Sequence, residues 1–182
     1  MRIIAGNFRG RKLKSPQGQE TRPTSDRLRE AIFSSLTHKF DGGFSGLRVA
    51  DIFAGTGAMG LEAISRGADS AVFVEKHKGL ELIKANAIHL GCADKCSFLG
   101  ADARNLPPLN HKLDLIFLDP PYGRSLAEPA LISALSNNWL NDGAIAVVEL
   151  AKIDEFETPD GFEEISQKTS AKSKVIFLKL KN

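Results

Sequence analysis

The sequence predicts a single α/β domain built on a mostly parallel sheet, preceded by a short basic extension. Three observations carry this reading. From Leu47 to Leu150, short apolar runs alternate with segments of helical periodicity, the pattern of parallel strands joined by crossover helices. Near the end the order changes. Phe162–Lys168 and Lys174–Leu180 are separated only by the polar stretch Thr169–Ser173, too short for a helical crossover, so they pair antiparallel. Charge is also uneven: residues 1–29 carry a net +6 and the remainder a net −4, within a total of +2.

The elements follow in order. Residues 1–23 are rich in Gly, Arg and Lys and read as loop, with short extended pieces at Arg2–Ala5 and Arg11–Lys14. Thr24 or Ser25 caps a helix running to about Thr37, with Asp26 in its first turn and Leu28, Ile32 and Leu36 on one face. Gly42, Gly43 and Gly46 break the chain. Leu47–Phe53 is the first strand and Ala58–Arg66 a helix. Ala71–Glu75 is the second strand and Lys78–Leu90 a helix. Cys96–Leu99 is the third strand, and Leu113–Leu118 a fourth, buried and unbroken. Leu126–Ser136 is a helix, Gly143–Leu150 a fifth strand, and the terminal hairpin closes the chain. There is no internal repeat. Residues 1–23 read as the extension and 24–182 as the domain.

With 182 residues, 42% hydrophobic and 25% charged, the chain suits one globular domain with a sizeable core. No run approaches the roughly 20 apolar residues of a membrane span, and Met1–Gly6 has no apolar stretch of a secretory signal. Cys92 and Cys96 read as reduced thiols, with no second Cys or His pair at ligand spacing. The expectation is a cytoplasmic protein without metal or membrane attachment. The basic extension ahead of a mildly acidic body points to a polyanionic partner.

The first strand runs into Asp51-Ile52-Phe53-Ala54-Gly55-Thr56-Gly57-Ala58-Met59-Gly60. Glycines there allow a tight turn and close approach of a ligand to the backbone. The spacing of Gly55, Gly57 and Gly60 also satisfies the dinucleotide fingerprint, which makes an NAD site a competitor. Asp51 shifts the balance, because a pyrophosphate at the helix start would not want a carboxylate beside it. S-adenosylmethionine (SAM) carries no phosphate; it has a sulfonium, an ammonium and a carboxylate. Glu75, at the end of the second strand, suits the ribose diol of either ligand. Asp102, after the third strand, is placed to accept from an adenine amino group; the alternative is that the backbone of Ala101 or Ala103 serves the ring instead.

The fourth strand ends in Asp119-Pro120-Pro121-Tyr122. Two prolines terminate the strand and remove two backbone donors from the site. What remains is a carboxylate and carbonyls, suited to an exocyclic amino group with two N–H donors. The lone pair of such an amine is delocalised into its ring. Holding both hydrogens on Asp119 and the Pro120 carbonyl favours a pyramidal nitrogen and aligns it for attack. Tyr122, the single tyrosine in the chain, offers a flat face to an extruded base.

These residues together resemble the RsmD family of bacterial 16S ribosomal RNA guanine-N2 methyltransferases, class I Rossmann-like enzymes that use SAM. The resemblance runs through Met1–Gly6 with Arg9-Gly10-Arg11-Lys12-Leu13. It continues through Thr21-Arg22-Pro23-Thr24 with Arg27, Arg29, Glu30 and Phe33, then Asp51–Gly57 with Gly60, Leu61 and Glu62, and ends in Phe117–Tyr122. It implies a seven-stranded sheet with the last strand antiparallel, SAM as cofactor, and a monomer acting on 16S rRNA in a 30S subunit or assembly intermediate. The implied target is guanine 966. It further implies that Thr21, Arg22, Pro23 and Thr24 close over SAM, which Asp51, Phe53, Gly55, Gly57, Glu75, Asp102 and Ala103 hold. Asp119, Pro120 and Tyr122 hold the base, and Arg2, Arg9, Arg11 and Lys12 meet RNA. Lys172 and Lys174 are basic residues at the terminal hairpin turn, which leaves RNA contact there open. The rivals are an amino-methyltransferase of DNA or of protein glutamine, an NAD-dependent oxidoreductase and a non-catalytic RNA-binding assembly factor.

Overall fold

The computed structural model describes residues 1–15, 26–41 and 43–181. The helices are α1 (Asp26–Lys39), α2 (Ala58–Ser65), α3 (His77–Leu90) and α4 (Ala127–Ser136). The strands are β1 (Arg48–Ile52), β2 (Ser70–Glu75), β3 (Cys96–Gly100), β4 (Leu113–Leu118), β5 (Leu140–Ala151), β6 (Phe162–Thr169) and β7 (Ser173–Leu180). They form one seven-stranded sheet in the order β3-β2-β1-β4-β5-β7-β6. β1 to β5 run parallel, and β7 runs antiparallel to both β5 and β6. This is the mostly parallel sheet with a terminal antiparallel pair that the alternation and the hairpin predict, in the seven-stranded Rossmann-like form that the resemblance implies.

Each strand feeds both faces of the sheet, as period-two alternation requires. Val49, Phe73, Leu115, Phe117, Val147 and Phe177 join the core beneath α1, α2 and α3. Ala50, Ile52, Val72, Ile116, Leu118 and Val148 join the core beneath α4. The apolar run Leu115–Leu118 of β4 is explained by its central position, buried on both sides. Trp139 is fully buried in the second core, and its indole N–H donates to the Pro107 carbonyl at 2.7 Å.

Two boundaries depart from expectation by more than one residue, for local reasons. β5 begins at Leu140, ahead of the expected Gly143. A register shift between Leu113 and Leu115 absorbs the turn-like residues Asn141–Gly143, and the Asn141 side chain donates to the Asp114 carboxylate at 2.6 Å. α1 continues to Lys39 rather than Thr37, with His38 and Lys39 in its last turn, where positive charge suits the helix dipole. The expected cap, Thr24 or Ser25, lies outside the described residues.

The two extended pieces of the N-terminal extension meet each other. Arg2 bridges Lys12, and hydrogen bonds join Ile3 to Arg11 and Gly10, and Leu13 to Met1. Ile3 and Leu13 are buried in the core beneath α1 to α3, so this hairpin is packed onto the domain. Glu62 of α2 is fully buried and accepts from the backbone N–H groups of Ile4 and Ala5 at 2.7 and 2.9 Å. Gly6 crosses α2 so closely that a Cβ there would stand 1.8 Å from the Ser65 carbonyl oxygen. The fully buried Arg29 of α1 donates to the Arg2 carbonyl and to Asp26, and α1 is thereby tied to the hairpin.

Candidate active site

The strand order reverses between β1 and β4, so a crevice opens at their carboxyl ends. Parallel register sets Asp51, Phe73, Phe117 and Val147 side by side. Two residues further along, on the same face, stand Glu75, Phe53, Asp119 and Glu149. Three of those four are carboxylates, and Asp51 lies one step below them. Phe53 breaks the row. Its φ is +64°, a strained region for an aromatic residue, and its ring packs with the opposite core. Turning the ring away keeps a phenyl group out of the space between Glu75 and Asp119.

The three glycines of the loop do different work. Gly55 has φ +55° and no atom nearer than the Phe53 oxygen, 4.0 Å from where a Cβ would stand, so its backbone faces open space. Gly57 and Gly60 are packing positions. A Cβ on Gly60 would meet the Phe73 ring at 2.5 Å, and one on Gly57 would meet Ile83 at 2.8 Å. They let α2 settle onto the sheet, and of the three only Gly55 has open space where a Cβ would stand.

Asp51 is 3% exposed. Its carboxylate accepts from the Gly60 N–H at 2.9 Å, which caps the start of α2. Burial raises its pKa most, the Gly60 and Met59 N–H groups pull it down and the negative charge of Glu75 pushes it up, for a net rise from 3.8 to about 7. Glu75 accepts from the Gly55 N–H at 2.9 Å and from the Lys76 N–H at 2.8 Å, and so anchors the glycine loop. Gly79 makes room for it, since a Cβ there would meet the Glu75 Cγ at 2.4 Å. Asp102 is exposed and held by Arg104. The Arg104 guanidinium and N–H lower its carboxyl to about 2. An adenine amino group at Asp102 would have to share it with that guanidinium. Ala103 beside it is buried in the second core.

Asp119 follows β4 and opens onto the crevice, with protein crowding its remaining sides. That crowding raises its carboxyl well above the ordinary carboxylate range, and the charges of Glu149 and Asp51 raise it further. Water in the open crevice screens part of the effect without changing its direction. Pro120 is buried, and Tyr122 is 40% exposed. The turn after Tyr122 is pinned by the Gly123 N–H, which donates to Asp154 at 3.2 Å. Glu149, 7% exposed, is a member of the row that the sequence reading misses. Its signal is a lone acid in the otherwise apolar run Ala144–Leu150.

Of the basic residues assigned to RNA, Arg9 and Lys12 are exposed on the hairpin. Arg2 pairs with Asp26 at 2.9 Å, and Arg11 donates to the Leu90 carbonyl at 2.9 Å. Thr21, Arg22, Pro23 and Thr24 lie outside the described residues.

Residues 1–179 match the family described as Conserved hypothetical protein 95. The chain is 35% identical over 178 residues to ribosomal RNA small subunit methyltransferase D of Haemophilus influenzae, covering 93% of this chain and 89% of that protein. It is 37% identical over 157 residues to the protein of the same name in Escherichia coli K12, covering 82% and 74%. A solved Escherichia coli structure, described as a methyltransferase, superposes with a TM-score of 0.83 at 29% identity, covering 100% of this chain and 98% of that one. With its sheet order, its glycine loop and its Asp-Pro-Pro-Tyr turn in place, the chain belongs to this family, that of the RsmD ribosomal RNA methyltransferases.

Proposed function

We propose that the protein transfers the methyl group of SAM to the exocyclic N2 of a guanine in 16S rRNA, guanine 966 by family resemblance, within a 30S particle or its assembly intermediate. The observation that carries the reading is the acid-lined crevice. Asp51 and Asp119 are both pushed upward in pKa by their surroundings. A cationic ligand would relieve that repulsion, whereas the pyrophosphate of NAD would add to it. SAM fits this chemistry, and the open backbone at Gly55 leaves space for it.

Asp51, Phe53, Gly55, Gly57, Glu75, Asp102 and Ala103 would hold the cofactor, with Glu75 turning from the Gly55 N–H to a ribose diol. When bound, SAM supplies a methyl group activated by a sulfonium. The chain's own residues do the rest. The Asp119 carboxylate and the Pro120 carbonyl accept the two amino hydrogens, which frees the nitrogen lone pair. A carboxyl raised above its ordinary range is also suited to take the proton the methylated nitrogen sheds. Tyr122 stacks on the extruded base.

The hairpin presents Arg9 and Lys12 to phosphates, with Arg2 and Arg11 at its edges. Thr21–Thr24 keep the lid role that the resemblance implies, residues 1–23 serve contact with RNA and cofactor, and 24–182 form the catalytic domain. No described helix is long and apolar enough to cross a membrane. The protein would act as a monomer and meet ribosomal RNA in the cytoplasm. Calorimetry with SAM and with NAD tests the cofactor. SAM should bind and NAD should not, and the reverse would overturn the reading.

A further inference from the structure

We propose that Asn86 is a positioning residue that locks the cofactor loop to the RNA-facing hairpin, so that cofactor and RNA strengthen each other's binding. This rests on the reading above, in which Gly55–Gly57 receives SAM and the hairpin meets RNA.

Asn86 lies on α3 and is fully buried. Its Oδ1 accepts from the Lys14 N–H at 2.7 Å, and its Nδ2 donates to the Lys14 carbonyl at 3.2 Å and to the Thr56 carbonyl at 2.9 Å. Both amide hydrogens and the amide oxygen are therefore used. Lys14 lies at the end of the hairpin, and Thr56 is the middle residue of Gly55-Thr56-Gly57. The hairpin's other end reaches the same place, because the Thr56 hydroxyl donates to the Met1 sulfur at 3.4 Å and the Met1 carbonyl accepts from Leu13. A buried amide is costly unless its partners are supplied. An aliphatic residue would fill the space between Ile83 and Leu90 without joining these two segments.

Among the described residues, two side chains hydrogen-bond to the backbone of Gly55–Gly57. One is Glu75 on the Gly55 N–H, which a ribose diol would compete for. The other is Asn86 on Thr56. Once Glu75 turns to the ribose, Asn86 is the described side chain still bonded to the loop's backbone, and its remaining bonds go to the hairpin backbone. Phosphate contacts that steady the hairpin steady Lys14, Asn86 and Thr56 together, so the second ligand meets a loop already ordered. Linkage makes the effect reciprocal.

The test uses the full chain, S-adenosylhomocysteine and 30S particles lacking the modification. For the wild type, the particles should tighten S-adenosylhomocysteine binding by about fivefold or more, with the same factor in reverse. Asn86→Asp keeps an acceptor for the Lys14 N–H but has no donor for Thr56. Asn86→Ser is shorter and uncharged. Either variant, if folded by circular dichroism, should bring the factor to about one. Its KM for SAM should rise, while kcat at saturation of both substrates stays within about twofold of the wild type. If both variants unfold, hydrogen exchange on the wild type decides. The particles should slow exchange at Gly55–Gly57, and S-adenosylhomocysteine should slow it at Ile3, Gly10 and Leu13. Independent binding of the two ligands to the wild type, full coupling in a folded variant, or unchanged exchange would each overturn the proposal. Failure of the wild type to bind S-adenosylhomocysteine at all would instead overturn the function proposed above.

Discussion

Asp51 gives the sharpest test of the acid-lined crevice. Its carboxyl rises from 3.8 to about 7 on folding. Between those values the folded protein holds a proton that the unfolded chain has released, so stability falls as pH rises through that window and the loss is complete above it. About three pKa units at 1.36 kcal/mol each give a cost of about 4 kcal/mol for the charged form. The neutral amide introduced by Asp51→Asn would not titrate. Its carbonyl would still accept from the Gly60 N–H, though more weakly than a carboxylate, by about 1 kcal/mol. Asp51→Asn is therefore expected to be near neutral at about pH 4 and more stable than the wild type by about 2–3 kcal/mol at about pH 8. Urea unfolding at several pH values in low salt measures it. Cofactor affinity should move the other way, weakening by about 1.5–3 kcal/mol for a lost charged contact. If Asp51→Asn is destabilised equally at both pH extremes, the charge is not held against its own preference, and the argument for a cationic ligand fails.

The remaining predictions concern the other groups of the site. Asp119→Ala should lower the single-turnover methylation rate by roughly 10²–10³ while SAM affinity holds, and Asp119→Asn should retain more activity because it keeps a carbonyl oxygen. Glu75→Ala should weaken SAM by about 1.5–3 kcal/mol, read by calorimetry. Replacing Arg9 and Lys12 together by Ala should flatten the slope of log RNA affinity against log salt by roughly one to two units, with SAM affinity unchanged. Gly60→Ala should destabilise the fold by about 1–3 kcal/mol in urea unfolding, because its Cβ meets the Phe73 ring within α2's packing interface.

Local signals explain why much of this is legible in the sequence. The apolar run Leu115–Leu118 of β4 and its Asp-Pro-Pro-Tyr ending are contiguous, and so is the glycine loop with Asp51 before it. The short polar turn Thr169–Ser173 marks the antiparallel β7. What escapes depends on pairings between distant segments. The inversion of Phe53 is a backbone conformation with no compositional mark. Asn86 contacts Lys14 and Thr56 across most of the first half of the chain, although it stands with Ile83, Ala87 and Leu90 on the apolar face of α3, where a polar residue is a signal. Glu149 reads as one acid in an apolar strand until the register sets it beside Asp119. Spacing groups Gly57 and Gly60 with Gly55, and only the fold shows that a Cβ at either would run into Ile83 or Phe73. Position suggests an Asp102 free for adenine, whereas the structure shows it held by Arg104.

The most direct measurement is mass mapping of 16S rRNA after incubating undermodified 30S particles with the purified protein and methyl-labelled SAM, with Asp119→Ala run in parallel. A single labelled N2-methylguanosine is expected with the wild type, and a rate lower by roughly 10²–10³ with the variant. Label on a ring carbon, a ribose or a protein side chain, or an undiminished rate with Asp119→Ala, would contradict the proposed reaction.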